Sequence, residues 1–195
     1  MLRVTLVRHG EVAPRHRGRY NGHVDIPLGD AGKRQARTVA RCLAHEPFDA
    51  VYCSDLSRCR ETLEPLLPSL PVKPVYTALL REKSWGRHEG MNYDEIVTRD
   101  GLVYRSFSQW VDALDGERIK AFRRRVDLFF HAYLPQTGCS NVLIVTHAGV
   151  IRILQHLSLG IDLETAFTQP IPCGGVIEYD MMTAPTYKER RCDGS

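Results

Sequence analysis

No apolar stretch in the 195-residue chain approaches the ~20 residues that a membrane-spanning helix needs, so no membrane association is expected. The six cysteines, at 42, 53, 59, 139, 173 and 192, contain no Cys-x-x-Cys pair and no Cys/His spacing of a zinc site. The chain is too long to depend on disulfides for a core, so reduced thiols in a cytoplasm are the expectation. There is no G-x-x-x-x-G-K-[ST] loop to cradle nucleotide phosphates, and no paired Asp cluster or histidine spacing suited to a metal. Charge is nearly balanced, with 26 Lys and Arg against 23 Asp and Glu, an excess too small to argue for a nucleic-acid partner. The one dense basic run, Arg123-Arg124-Arg125, falls in a helical pattern and reads as a solvated face. A secretory leader is not expected, because cleavage near the start would remove Arg8-His9-Gly10. Repeats and linkers are also missing.

What the chain has is an alternation of strand-like and helix-like segments. Residues 2–7 are short, rich in β-branched side chains and followed by a turn; Asp30 reads as the cap of a helix to about residue 44, and residues 48–53 as a second strand. Two strands joined in this way suggest a parallel βαβ unit. A second helix carries residues 58–67 before Pro65, Pro68 and Pro71 disrupt it, and residues 72–76 read as a third strand. Ile119, Phe122, Val126, Phe129, Phe130 and Tyr133 then fall on one helical face. The near-continuous apolar run 141–147 suits a central strand covered on both faces, and residues 148–157 form the helix after it. Residues 175–180 read as a last edge strand. The expected fold is α/β, a three-layer αβα domain over residues 1–183 with a mostly parallel central sheet. A small insertion of short helices and loops takes up about 84–116, and residues 184–195 form a tail that frays.

Two of these strands end alike, at Val7-Arg8-His9-Gly10 and Thr146-His147-Ala148-Gly149. In an open α/β sheet the ligand crevice lies outside the carboxyl ends of the strands, so both histidines arrive at one place. A third strand end, Cys53-Ser54, delivers Arg58 from the first turn of the next helix. Cations gathered together repel unless an anion joins them, and a phosphoryl group at helix N-termini is the natural one.

The runs RHGEV, YNGHVDIPLGDAG, SDLSRCRET, LREKSWGRHEG and VTHAG resemble, in that order, the motif series of the histidine phosphatase superfamily, phosphoglycerate-mutase-like branch. The resemblance covers residues 2 to about 180. It implies that His9 is the nucleophile that takes the phosphoryl group, and that Arg8, Arg58 and His147 surround the phosphoryl oxygens. It implies that Glu82 is the general acid and then the base, a role that calls for a carboxyl with a raised pKa. Gly22 and Ala148 join the expected phosphate-binding set, as does Asn21, which with His23 sits either on a loop facing the substrate or on a polar surface turn. No metal or cofactor is implied. Cys53 stands five residues before Arg58, one short of a Cys-x5-Arg loop, so Cys59 reads as a packing residue, or, if exposed, as an oxidation-sensitive one.

The motifs also depart from the family. Arg15 holds the place of an Asn that usually touches phosphate, either as a cationic substitute or in a rebuilt loop, and the family's W-E-G reads His88-Glu89-Gly90. The RHGEV start, the RYNGHVDIPL form and the short length are most similar to α-ribazole phosphatases and related small phosphatases. A small phosphorylated metabolite is therefore the expected partner, and Trp85, Tyr93, Tyr104 and Trp110 hint at an aromatic ring in it or, alternatively, at a core. About 34 residues separate Glu82 from Glu117, less than the extended insertion of phosphoglycerate mutases, which favours a water-accessible phosphatase site. Mutase-type transfer and a silent phosphoprotein-binding module are the competing readings. Oligomeric state is not readable.

Overall fold

Successive residues of the most apolar strand point into two different cores, and the rest of the domain is layered around that fact. The computed structural model describes residues 2–181, 187–190 and 192. In chain order they form β1 (Arg3–Arg8), α1 (Asp30–Leu43), β2 (Ala50–Ser54), α2 (Ser57–Leu63), β3 (Val75–Thr77), α3 (Tyr93–Asp100), α4 (Phe107–Ala113), α5 (Ile119–Asp127), β4 (Asn141–Thr146), α6 (Ala148–Leu159), α7 (Leu163–Thr168), β5 (Val176–Asp180) and β6 (Tyr187–Arg190). Val142 and Ile144 of β4 join the core that holds α5 and α6, while Leu143 and Val145 join the one beneath α1 and α2. This is the period of two expected of a strand covered on both faces.

The sheet order is β3-β2-β4-β1-β5-β6. β3, β2, β4 and β1 are parallel, β5 is antiparallel to β1, and β6 is antiparallel to β5. The α/β, mostly parallel three-layer reading holds. β1 and β2, however, are not neighbours: β4 lies between them, because the strand with two apolar faces takes the centre.

Local chemistry explains the element boundaries. Along α1, Ala36, Val39, Ala40 and Leu43 recur at three- and four-residue steps and are buried. Asp30 is the first helical residue rather than the cap, which is Gly29. α2 ends early and passes into a 3₁₀ stretch, Glu64–Ser69, since Pro65 and Pro68 have no N–H to donate. After α5 the helix widens into a π turn, Leu128–Tyr133. The extra residue per turn swings Tyr133 to 48% exposure while Phe129 and Phe130 stay buried. In the basic run, Arg123 and Arg124 are exposed as expected, but Arg125 turns inward and pairs with Glu117 at 2.7 Å.

The chain end departs from expectation. Residues 187–190, within the stretch expected to fray, form β6, so 175–180 is not the sheet edge; apart from Cys192, the rest of that tail lies outside the described residues. Arg190 bonds Glu46 at 2.6 Å, and Cys42 of α1 is disulfide-bonded to Cys192. That pair corrects the expectation of reduced thiols; Cys53, Cys59, Cys139 and Cys173 are free. Cys59 is fully buried, and burial pushes its thiol up to about 12, so it is a packing residue and not an exposed nucleophile. No helix among the described residues is long and apolar enough to cross a membrane.

The central placement of β4 has a measurable cost when broken. Leu143→Ala empties a fully buried position and is expected to lower stability by about 2–5 kcal/mol, seen as an earlier denaturant midpoint at unchanged slope. A change within about 0.5 kcal/mol, typical of surface positions, would contradict the two-sided burial.

Candidate active site

Strand β1 stops at Arg8, and the next residue, His9, lies beside His147, the residue that follows β4, with ring centroids 5.1 Å apart. The chain can turn beneath His9 because residue 10 is glycine: a Cβ there would come within 2.6 Å of the Gly32 carbonyl oxygen in α1. The Gly10 amide donates to Thr62 Oγ1 at 2.9 Å, and Thr62 Oγ1 donates to the Arg58 carbonyl one turn earlier in α2 at 2.6 Å. The nucleophile loop and the Arg58 helix are therefore tied together.

His9 is buried, and its Nδ1 lies 2.8 Å from the Gly10 carbonyl. A carbonyl only accepts, so Nδ1 carries the proton and Nε2 is the unprotonated nitrogen. Burial, then Arg58 and Arg8, lower the His9 pKa to about 3, which keeps the ring neutral.

Arg58 enters from the first turn of α2 and is 1% exposed. Its Nη1 donates to the Val24 carbonyl at 2.9 Å, and its Nη2 to the carbonyls of Gly22 at 2.6 Å and Asn21 at 3.2 Å. Its Nε donates to His147 Nδ1 at 3.3 Å. His147 Nε2 then holds the ring proton and donates to Ser54 Oγ at 2.9 Å. Burial and the neighbouring Arg58 lower the His147 pKa well below that of a free imidazole. With both nitrogens engaged, His147 stands behind His9 and does not line the cavity, in contrast to the phosphoryl contact expected for it. Arg8 donates to the Ile171 carbonyl through Nη1, and its buried Nε has no partner.

Glu82 follows a short 3₁₀ turn after β3. Its Oε2 accepts the Gly149 amide of α6 at 2.9 Å and its Oε1 the Lys83 amide at 3.1 Å. The segment is held from behind by Arg125, which donates to the carbonyls of Leu79, Arg81 and Glu82 at 2.8, 2.9 and 3.3 Å.

These groups open onto a cavity of about 730 Å³ bordered by Arg8, His9, Asn21, Arg58, Glu82, Ala148 and Gly149. The sequence-derived set thus converges, with three departures: His147 lies behind the wall, Gly22 contributes its carbonyl to Arg58 rather than a surface, and Arg15 lies outside, its Nε on His16 Nε2 at 3.0 Å. His88 is also remote from the cavity: it is fully buried, 2.5 Å from Asp100 and accepting the Asp115 amide at 2.9 Å. Of the four aromatics that hinted at a ring-binding wall, only Trp85 borders the cavity. Trp110 is core, donating to Tyr20 Oη at 2.7 Å, with the rings of Tyr93 and Tyr104 tilted against it.

Sequence reasoning missed other parts of the wall. Phe107 of α4 and Phe167 of α7, stacked at 4.1 Å, and Arg152 of α6 line the cavity. α7 has only six residues, and its one signal is Asp162 capping the Thr165 amide. Lys83 was within reach, next to Glu82; its ammonium lies 4.2 Å from the Trp85 ring centre, and burial lowers its pKa to about 8. Thr62 was also detectable, four residues after Arg58 and therefore on the same helical face. Among the described residues no His, Cys, Asp and Glu side chains are grouped so as to hold a metal ion.

An α/β sheet that brings histidine and arginine side chains to the carboxyl ends of its parallel strands, against the N-terminus of α6, defines an enzyme built around an anion. The chain belongs to the histidine phosphatase superfamily (branch 1), whose sequence profile matches residues 4–184. It is 36% identical over 156 residues to the adenosylcobalamin/alpha-ribazole phosphatase of Salmonella typhimurium, covering 78% of this chain and 77% of that protein. It is 29% identical over 174 residues to a 2,3-bisphosphoglycerate-dependent phosphoglycerate mutase of Gloeobacter violaceus, covering 81% and 78%. The alpha-ribazole phosphatase structure from Shigella flexneri superposes with a TM-score of 0.84 at 26% identity, over 96% of this chain and 95% of that one.

Two outcomes follow from the geometry. In Gly149→Ala the new Cβ collides with Glu82 Oε1, the end of a movable side chain, so the protein is expected to fold and the carboxylate to shift. Turnover of phosphomonoesters should fall on the order of 100-fold, the scale of a 1 Å misplacement, with an unchanged melting temperature; retained turnover would contradict the contact. The neutral, buried His9 also makes stability depend on pH. Between the free value of 6.5 and about 3 only the unfolded chain takes up that proton, so stability falls as pH falls through this window, by up to about 1.4 kcal/mol per pH unit. His9→Asn should show a shallower decline between pH 6 and 4 in denaturant titrations; an identical slope would exclude a neutral buried ring.

Proposed function

We propose that the protein, a phosphatase of the histidine phosphatase superfamily, hydrolyses α-ribazole 5′-phosphate or a closely similar phosphomonoester through a phosphohistidine at His9. The observation that carries the reading is the His9 ring itself: buried, neutral, its Nδ1–H fixed on the Gly10 carbonyl and its Nε2 left with a free lone pair. Nε2 attacks phosphorus as the P–O bond to the alcohol breaks. The unpartnered Arg8 Nε–H and the remaining Nη1 donor of Arg58 stabilise the charge on the phosphoryl oxygens. Glu82, held by the Gly149 amide at the cavity wall, protonates the departing alkoxide. In the second half it takes a proton from water, whose oxygen attacks the phosphohistidine, and the P–N bond breaks to return His9 and inorganic phosphate. His147 supports the step through Arg58 Nε.

Two features support an aromatic substrate. The cavity is also lined by Trp85, Phe107, Phe167, Val111, Ile119 and Phe122, apolar side chains suited to a base and poorly matched to a phosphoglycerate. The relatives described above include an α-ribazole phosphatase matched over most of both chains. A silent binding module needs neither a neutral nucleophile nor a carboxylate beside it.

Phosphate release from a panel of phosphomonoesters, with a metal chelator present, tests this. α-Ribazole 5′-phosphate should be turned over far faster than 3-phosphoglycerate or fructose 2,6-bisphosphate, and His9→Ala should release none. Equal rates across the panel would remove the substrate assignment, isomerised product without phosphate would turn the reading to a mutase, and release by His9→Ala would remove the nucleophile.

A further inference from the structure

Glu89 does not border the cavity, yet its carboxylate is among the most heavily bonded in the protein. Oε1 accepts the amides of His23 at 2.7 Å and Trp85 at 2.9 Å, and Oε2 those of Gly22 at 2.8 Å and Val24 at 3.2 Å. Two of these amides belong to peptide groups whose carbonyls face the other way, onto Arg58. The Asn21–Gly22 peptide gives its N–H to Glu89 and its C=O to Arg58 Nη2; the Gly22–His23 peptide does the same. Each peptide dipole therefore has its positive end on a carboxylate and its negative end on a guanidinium, so both charges polarise it in the same sense.

Arg58 needs such help. It is 1% exposed and no carboxylate is within ion-pair distance of it among the described residues, and a buried cation without compensation is costly. A carboxylate placed directly on the guanidinium would take the donors that a phosphoryl group uses and would repel its negative charge. Relayed through two peptides, the countercharge holds Arg58 and leaves its last Nη1 donor free. We infer that Glu89 is the positioning residue of the phosphoryl-binding arginine, acting on Arg58 through the Asn21–Gly22 and Gly22–His23 peptides. This rests on the reading that Arg58 binds the phosphoryl group.

The test is a double-mutant cycle on orthovanadate binding, measured by calorimetry so that it does not depend on turnover. Glu89→Gln replaces one carboxylate oxygen by an NH₂ that donates, leaving two of the four amides facing a donor. It is expected to weaken vanadate binding at least tenfold in the wild-type background and less than twofold when Arg58 is already Ala, because residues acting through one another are not additive. An equal loss in both backgrounds, as a general disturbance of the loop would give, overturns the inference, as does no loss or a wild type that binds no vanadate. Should Glu89→Gln show no cooperative unfolding transition, Glu89→Asp, which keeps the charge and withdraws it by one methylene, is read in the same cycle with the same criteria. Wild-type vanadate binding without phosphate release from any ester would remove the proposed function and leave this inference standing.

Discussion

Burying a permanent positive charge at the carboxyl ends of the parallel strands is the constraint around which this protein is organised. A guanidinium has five N–H donors and cannot lose its proton, so each donor left without an acceptor adds to the cost of its burial. Three backbone carbonyls from the loop after Tyr20 and one imidazole nitrogen take four of the five. The loop therefore has to fold back over α2, His147 has to present Nδ1, and Ser54 has to take the proton on the other side of that ring. Burial, together with the field of the same arginine, keeps both histidines neutral, which is the state a nitrogen nucleophile requires.

Much of this could be read from the residues alone, where the signal is local or periodic. β1, α1, β2, α2, β4 and α6 each carry their own apolar period, and Arg8, His9 and Arg58 sit at the ends of such segments, where an α/β sheet places its ligand; Glu82 was marked only by the resemblance of its motif to the family's. The direction of His147 was not legible in that way. Its place after β4 was clear, but the orientation of its ring depends on hydrogen bonds to Arg58 and Ser54, partners 89 and 93 residues away in sequence.

Other differences have similar causes. Strand order depends on which strand can be buried on both faces, a comparison among all the strands rather than a property of the β1–α1–β2 unit, and so β4 came between two strands that looked like neighbours. The aromatics of the insertion carried no marker of inside or outside: Trp110 is buried in the core, while Tyr93 and Tyr104 lie against it from the exposed side, and the ring pair at the cavity, Phe107 and Phe167, comes from two short helices whose meeting no spacing announces. The Cys42–Cys192 bond joins residues 150 apart and depends on β6, a strand of four residues in a stretch with little apolar content.

The register of β1 against β4, with Arg3 opposite Asn141 and Arg8 opposite Thr146, sets the order of events as the chain is made. The strand that carries His9 is made before its parallel partner, which is synthesised only after some 130 further residues, at translation rates of about 5–20 residues per second. Until then both edges of β1 lack the neighbours they have in the folded sheet, β4 and β5, a state prone to association with other chains. The nascent chain thus holds its nucleophile unassembled until β4 has been made, and the catalytic centre is the product of one long-range closure.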